Sequence, residues 1–312
     1  MIVVTGGKGF IGNNLVRALN DRGIDDIIVV DSDDDVEKND LSSCTVRDFV
    51  SIDDFREMLI SHDCPFDIDM IFHQGACTDT TESDRTYMLD INYNYSVQLF
   101  EYCERIQIPL IYASSAAVYG NSKSFLEQPE FEKPINVYAE SKLLFDNYVR
   151  SKIGMTDFQV VGLRYFNVFG PRESHKGHMA SVAFHLNRQL LDSGEMRLFR
   201  GTDGYEEGEQ QRDFVHVDDA VSVNLWFMDN TDMSGVFNVG SGQSRTFNAV
   251  AQSVKSWHQN GKIEYIDFPE KLIGKYQSYT QADLTRLRKA GCNHKFKELE
   301  KGMSEYLNWL NP

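Results

Sequence analysis

The sequence predicts an α/β protein whose core is a doubly wound parallel sheet, with a smaller α/β lobe interleaved into it. Three observations predict this. Short apolar runs alternate with segments of helical apolar spacing through the first half of the chain, the rhythm of parallel strands joined by crossover helices. The first run, Met1-Ile-Val-Val-Thr5, stops at a glycine-rich turn, Gly6-Gly-Lys-Gly-Phe-Ile-Gly12, which opens into a helical pattern from Phe10 to Leu19. Further on, Tyr138 and Lys142 stand four apart, one helical turn, and follow Ser114-Ser115 at the end of the apolar run Pro109 to Ala113.

In chain order, Ile27-Ile-Val-Val30 reads as the second strand, closed by Asp31, and Asp33-Asp-Asp35 as a solvated loop. Ile52 to Ser61 has helical spacing, and Asp69-Met-Ile-Phe-His73 is the next buried strand, with Gly75-Ala76 at its carboxyl edge. One long helix is expected from Tyr87 to Gln107, then the strand ending at Ala113, a helix from Val137 to Ser151 and a strand from Asp157 to Leu163. The rhythm lapses between Lys176 and Arg212, where a helix from about Ala180 to Asp192 precedes a polar loop, Gly201 to Gln211. Asp213 to Asp219 leads into a helix ending near Met228, and two helices are expected late in the chain, Gln281 to Ala290 and Leu299 to Leu310. The lobes divide as 1–170 plus about 212–236, and about 171–211 plus 237–312.

Glycine permits the tight turn, the close approach of backbone to phosphate and the close packing of helix on strand. The helix start behind it offers free N–H groups and a positive dipole end to a pyrophosphate. An ordinary glycine-rich turn lacks the remaining context: a strand before, a helix after and an acid about 20 residues on, which Asp31 supplies. The first lobe is therefore expected to bind a dinucleotide. Tyr138, a poor base at an unperturbed pKa of about 10, would be assisted by Lys142, whose ammonium on the same helix face lowers the phenol's pKa. Ser115 would hydrogen-bond the same substrate oxygen at the carboxyl end of a strand, where open parallel sheets bind ligands. Beside a nicotinamide this set performs redox chemistry on a carbinol, with Lys142 also holding the ribose.

Bulk properties narrow the rest. Hydrophobic content of 41% and charged content of 25% over 312 residues are those of a soluble globular protein with a large core. No apolar run approaches the ~20 residues of a membrane helix, and the first strand begins at Ile2, leaving no room for a signal peptide. The five cysteines (Cys44, Cys64, Cys77, Cys103, Cys292) form neither a disulfide framework nor a metal pair, so a reducing cytoplasm and no metal are expected. A net charge of −16, from 47 acids against 31 bases, argues against nucleic acid as partner. An anionic ligand needs local bases against that field; Arg172, Lys176, Arg212 and Lys275 are the candidates. His73 reads as a structural residue at a strand end.

Gly6-x-x-Gly9-x-x-Gly12, the Ser115/Tyr138/Lys142 set and Arg164-Tyr-Phe-Asn-Val-Phe-Gly-Pro171 together resemble the extended short-chain dehydrogenase/reductases that act on nucleotide sugars, with their Rossmann cofactor domain. The resemblance runs from Met1 to Leu310. His73-Gln-Gly-Ala-Cys77, Pro171-Arg-Glu-Ser-His-Lys-Gly177, Met179-Ala-Ser-Val-Ala-Phe-His185 and Tyr276-Gln-Ser-Tyr-Thr-Gln-Ala-Asp-Leu284 look specifically like the ADP-heptose 6-epimerases within it. That resemblance implies an ADP-sugar substrate, one tightly bound NADP per subunit and a homo-oligomer, a pentamer in those relatives. It implies a second catalytic lysine at Lys176. It further implies cofactor contacts from Gly6, Gly9, Phe10, Ile11, Gly12, Asp31, Ser32, Lys38, Gln74, Gly75, Ala76, Cys77, Thr78, Asn92, Tyr138, Lys142, Val168 and Lys176. Sugar and nucleotide contacts would come from Asn167, His178, His185, Phe199, Arg200, Gly201, Thr202, Arg212 and Tyr276.

Within this resemblance several readings compete. Asp31 favours the unphosphorylated ribose of NAD, while Lys38 could neutralise the 2′-phosphate of NADP; a further base expected around Ile52 is missing. Ser115 is followed by Ala116-Ala117 where related dehydratases carry acids, which argues against dehydration. An unactivated carbinol carbon has no acidic C–H, so inversion requires oxidation to a carbonyl and reduction on the other face, with two acid/base groups. A hexose 4-epimerase or a reductase on another nucleotide sugar shares the triad. A cofactor-sensing protein without catalysis should lack a triad member, and all three stand here.

Overall fold

The computed structural model describes residues 1–32, 40–269 and 276–312. From the amino end the elements run β1 (Ile2–Thr5), α1 (Phe10–Asp21), β2 (Ile27–Asp31), β3 (Asp48–Ser51), α2 (Ile52–Ser61) and β4 (Met70–His73). Then follow α3 (Arg85–Leu89), a π-helical turn at Asp90–Asn94, α4 (Tyr95–Ile106), β5 (Leu110–Ser115), α5 (Val137–Lys152), β6 (Val160–Tyr165) and β7 (Asn167–Phe169). The remainder is α6 (Val182–Ser193), β8 (Glu195–Phe199), β9 (Gln211–His216), α7 (Val217–Asp229), β10 (Gly235–Val239), β11 (Ser244–Thr246), α8 (Phe247–His258), β12 (Lys262–Ile266), α9 (Thr285–Lys289) and α10 (Leu299–Leu310).

Seven parallel strands form the large sheet in the order β10-β6-β5-β4-β1-β2-β3. Alternate strand residues serve its two faces. Val4, Val29 and Phe72 pack with Leu15 and Leu19 of α1 and Val221 of α7, whereas Val3, Ile28 and Ile71 pack with Phe55 of α2, Leu99 of α4 and Phe145 of α5. The chain reverses its direction across the sheet between β1 and β4, paired with Thr5 opposite His73. That is the switch point at which open α/β sheets leave a crevice at the strands' carboxyl ends.

The second lobe has its own core, built by α6, α8 and α10 around Leu186, Met196, Val254 and Leu307, with the strand pair β8–β12 and the small sheet β11-β9-β7. The sequence division of the lobes at 236/237 falls inside a strand. Gly235–Val239 pairs with β6 as the last strand of the large sheet, and Leu287 and Cys292 join that sheet's core.

Three elements differ from expectation. The helix expected over Tyr87–Gln107 is broken by the π-helical turn, where Asn92 turns to bond the backbone of Cys77. The strand expected at Asp157–Leu163 begins at Val160 and ends at Tyr165, its register set by β5. The helix expected from Gln281 is only Thr285–Lys289, because Ala282 gives its N–H to the Asp213 carboxylate at 2.9 Å.

Candidate active site

The glycine turn meets the end of β4 backbone against backbone. A Cβ on Gly6 (φ +67°) would lie 2.6 Å from Gly75 Cα, and one on Gly12 would lie 2.1 Å from Gly6 O. Gly9, which opens α1, has no side chain of its own to cap the helix, and the helix start borders the cleft. Asp31, at the end of β2, accepts from the Lys8 N–H at 2.8 Å and the Ser32 N–H at 2.9 Å, tying the second strand to the turn. Gly6, Gly9, Phe10, Ile11, Gly12, Asp31, Ser32 and the run Gln74–Thr78 all line one cavity of about 400 Å³. The glycine-walled turn, the helix start and the acid at the strand end fit a dinucleotide.

A second cavity, of about 380 Å³, shares Phe10, Ile11, Gln74, Ala76, Thr78 and Lys176 with the first. Ser115, Tyr138 and Lys142 line it together. Ser115 ends β5, and its hydroxyl accepts from the Ala117 N–H at 3.1 Å. Asn136 caps α5 by accepting from the Ala139 N–H at 2.8 Å, which starts the helix one residue before Tyr138. Lys142 and Asp146 follow on the same face at successive turns.

The electrostatics correct one expectation. Burial pushes the Tyr138 phenol up, opposed by a hydrogen bond from Ser115, rather than Lys142 drawing it down. The Lys142 ammonium instead donates to the Ala113 carbonyl at 2.9 Å; burial pushes its pKa down to about 8, against the nearby Asp146 charge. A buried ammonium takes the acceptor within reach, and here that is backbone.

Lys176 stands on a tight turn, Ser174–Met179, with its Nζ 5.5 Å from the Phe10 ring centre. Burial pushes its pKa down, with Glu173 opposing. It thus faces the Tyr138 cavity from a separate wall.

Asn167 and Val168 line that cavity, although Val168 was expected among the dinucleotide contacts; Phe214, Phe247 and Gln277, which sequence reasoning did not find, join them. Arg212 is buried beside it, its guanidinium 4.6 Å from the Tyr276 ring centre and 5.7 Å from that of Phe247. It donates to the Gln211 carbonyl at 3.0 Å, and among the described residues no carboxylate pairs with it. Burial pushes its pKa down. A buried guanidinium without an acid is suited to an anionic ligand group.

Other expected contacts fall elsewhere. His178 has a 70% exposed side chain 3.8 Å from Asp79, and His185 packs on Phe184; neither lines either cavity. Phe199 packs on Phe268, and Arg200 pairs with Asp267 at 2.6 Å. Gly201 and Thr202 build the turn to Tyr205, where a Cβ on Gly201 would meet the Tyr205 carbonyl at 2.1 Å. Asn92 sits behind the wall, its amide bonded both ways to the Cys77 backbone and to Ser141. Arg172 bonds Asn14 at 2.8 Å, away from both cavities. Lys38 and Lys275 lie outside the described residues.

Three supports were not legible in advance. Asp146 accepts from Tyr112 and Ser114 at 2.9 Å each and pairs with buried Arg164 at 2.8 Å; its position four after Lys142 was the available signal. Gln74, Tyr165 and Asn224 close a ring of hydrogen bonds at 2.8 to 3.1 Å, with Gln74 and Tyr165 on the cavity wall itself. His216, Asp218 and Glu305, remote in sequence, converge as a metal-like cluster, but the Lys297 ammonium sits among them at 2.7 Å from Asp218 and 2.6 Å from Glu305.

Residues 2–240 match the NAD dependent epimerase/dehydratase family. The chain is 53% identical over 309 residues to an ADP-L-glycero-D-manno-heptose-6-epimerase of Alkalilimnicola ehrlichii, covering 99% of this chain and 97% of that one. Among solved structures it is similar to the Helicobacter pylori ADP-L-glycero-D-manno-heptose-6-epimerase, with TM-score 0.85, 30% identity and coverage of 99% and 95%. It is also similar to a UDP-N-acetylglucosamine 4-epimerase from Methanobrevibacter ruminantium, with TM-score 0.81, 27% identity and coverage of 99% and 97%.

Proposed function

The chain belongs to the NAD dependent epimerase/dehydratase family, and from that premise we propose that it inverts C6″ of ADP-D-glycero-D-manno-heptose to give ADP-L-glycero-D-manno-heptose. The observation that carries this reading is one cavity lined by Tyr138 and Lys176 from separate elements. Inversion at an unactivated carbinol needs an acid/base group for each face of the transient ketone.

The Gly6–Gly12 turn, Asp31 and the Gln74–Thr78 run would hold the dinucleotide, which would supply reversible hydride transfer at the carbinol carbon. Ser115 holds the sugar hydroxyl, and Tyr138 takes its proton. Lys142, anchored on the Ala113 carbonyl, would hold the ribose. After the ketone turns within the cavity, Lys176 returns a proton to the oxygen on the other face. Arg212 and Tyr276 take the diphosphate, the guanidinium offering a fork that a lysine lacks.

We assign the dinucleotide as NADP by likeness to the heptose epimerases, with NAD the alternative that the Asp31 carboxylate favours. A homo-oligomer in the cytoplasm completes the reading; no helix of the described residues is long and apolar enough to cross a membrane. The test is mass spectrometry of dinucleotide released on denaturation, followed by NMR of ADP-heptose with the purified protein. Stoichiometric NADP and interconversion of the two epimers support the assignment. Turnover of a UDP-hexose with none of ADP-heptose overturns it.

A further inference from the structure

The segment from Gly170 to Ser181 closes on itself beside the cleft. One buried carboxylate cinches its ends: Glu173 accepts from the Gly170 N–H at 3.2 Å, from the Ser181 hydroxyl at 2.7 Å and from the Ser181 N–H. Between them the turn Ser174–Met179 places Gly177 at φ 54°, a left-handed position suited to glycine. The turn puts His175 and Lys176 on the dinucleotide cavity and Met179 on its neighbour.

The same turn also reaches the loop after β4. His178 Nε2 lies 3.8 Å from Asp79 Oδ2, and Thr80 Oγ1 lies 4.0 Å from Met179 Sδ. Asp79 is oriented for that contact by the N–H and hydroxyl of Thr81, at 2.7 and 2.6 Å. Cys77 and Thr78, just before it, line the dinucleotide cavity. A strap from the second lobe is therefore joined to the loop that walls the cofactor cleft.

We propose that His178 and Asp79 form a clasp that holds this strap over the bound dinucleotide, acting as positioning residues that slow its release. The proposal rests on the epimerase reading, in which the same dinucleotide oxidises and then reduces one sugar. Loss of the dinucleotide between those steps would strand a ketone, so retention follows from the chemistry. A solvent-exposed polar contact carries a modest effect, so the expected change in release rate is roughly three- to fivefold.

The test loads the full-length protein with the reduced form of whichever nicotinamide dinucleotide co-purifies. It is then diluted into excess oxidised form, and release is followed by nicotinamide fluorescence. Asp79→Asn keeps an acceptor for Thr81, and with His178→Ala it should release roughly three- to fivefold faster. The double variant should be no faster than the faster single one, because both break one contact. The thermal midpoint of the dinucleotide-free protein should stay put. Wild-type release rates in both variants, or effects that multiply in the double, overturn the clasp alone. A purified protein that neither carries nor takes up a nicotinamide dinucleotide overturns the clasp together with the reading beneath it.

Discussion

Lys142 donates from Nζ to the carbonyl oxygen of Ala113 at 2.9 Å, so the ammonium hangs from the strand that presents Ser115 to Tyr138. Burial lowers its pKa from 10.5 to about 8. Between those values the unfolded chain binds a proton that the native state lacks, so this site makes stability rise with pH across that window. Below about pH 8 the buried charge costs about 3 kcal/mol. Lys142→Met keeps the stem and removes the charge. The dinucleotide-free variant should resist urea better at pH 7, by about 1–3 kcal/mol, while turnover is lost. A variant less stable than its parent contradicts the assignment of that cost.

Tyr138 and Lys176 should fail in complementary ways. General acid/base groups contribute about 10²–10⁴-fold, so Tyr138→Phe and Lys176→Met should each lower epimerisation by about that factor. Both should keep the dinucleotide, since the glycine turn and Asp31 are untouched. Each variant should also retain oxidation–reduction of one epimer more than of the other, read by isotope exchange at C6″. Near-native turnover in either removes the two-base mechanism.

Asp146 has no exposed surface and holds Tyr112, Ser114 and Arg164 together beneath the site. Removing Asp146 leaves buried Arg164 with Glu132 as its remaining carboxylate partner and leaves the Tyr112 and Ser114 hydroxyls without their acceptor. Asp146→Ala should therefore cost about 3–5 kcal/mol in urea unfolding. Asp146→Asn should still accept one hydroxyl and lose less. Equal costs for the two variants would mean that packing, not charge, dominates there.

The strands of the large sheet were legible because helices bury both faces, making β1, β2, β4, β5 and β6 near-continuous apolar runs. The Ser115, Tyr138 and Lys142 set was legible because helical spacing and a strand end are local properties. What failed depends on contacts distant in sequence. The π-helical turn follows from Asn92 reaching Cys77, and the late start of α9 from Ala282 bonding Asp213. Phe214, Phe247 and Gln277 meet at one cavity from three separate stretches of chain, with no spacing to announce them. His178 was misplaced because an irregular strap has no period from which to read its direction.

His73 completes a directional chain that should make acid destabilising. Ser96 Oγ donates to the Asn92 carbonyl at 2.8 Å, so it accepts from His73 Nε2–H at 2.8 Å. His73 Nδ1 is then the acceptor for the Thr5 hydroxyl at 2.7 Å, and Thr5 Oγ1 accepts from the Gly75 N–H at 3.1 Å. A proton on Nδ1 would face a donor, and it would sit in a fully buried ring near the Lys142 charge; burial first, then that charge, pushes the pKa from 6.5 down to about 3. Between those values the unfolded chain binds the proton and the native one does not, so stability falls as pH drops from about 6.5 toward 3. From pH 7 to pH 5 this one site should remove about 2 kcal/mol. His73→Asn cannot titrate there, so its urea stability should decline less across that interval, by about that amount. Parallel curves for the two proteins would show that His73 takes up its proton in the native fold, and the hydrogen-bond chain that holds Gly75 beside Gly6 would need another direction.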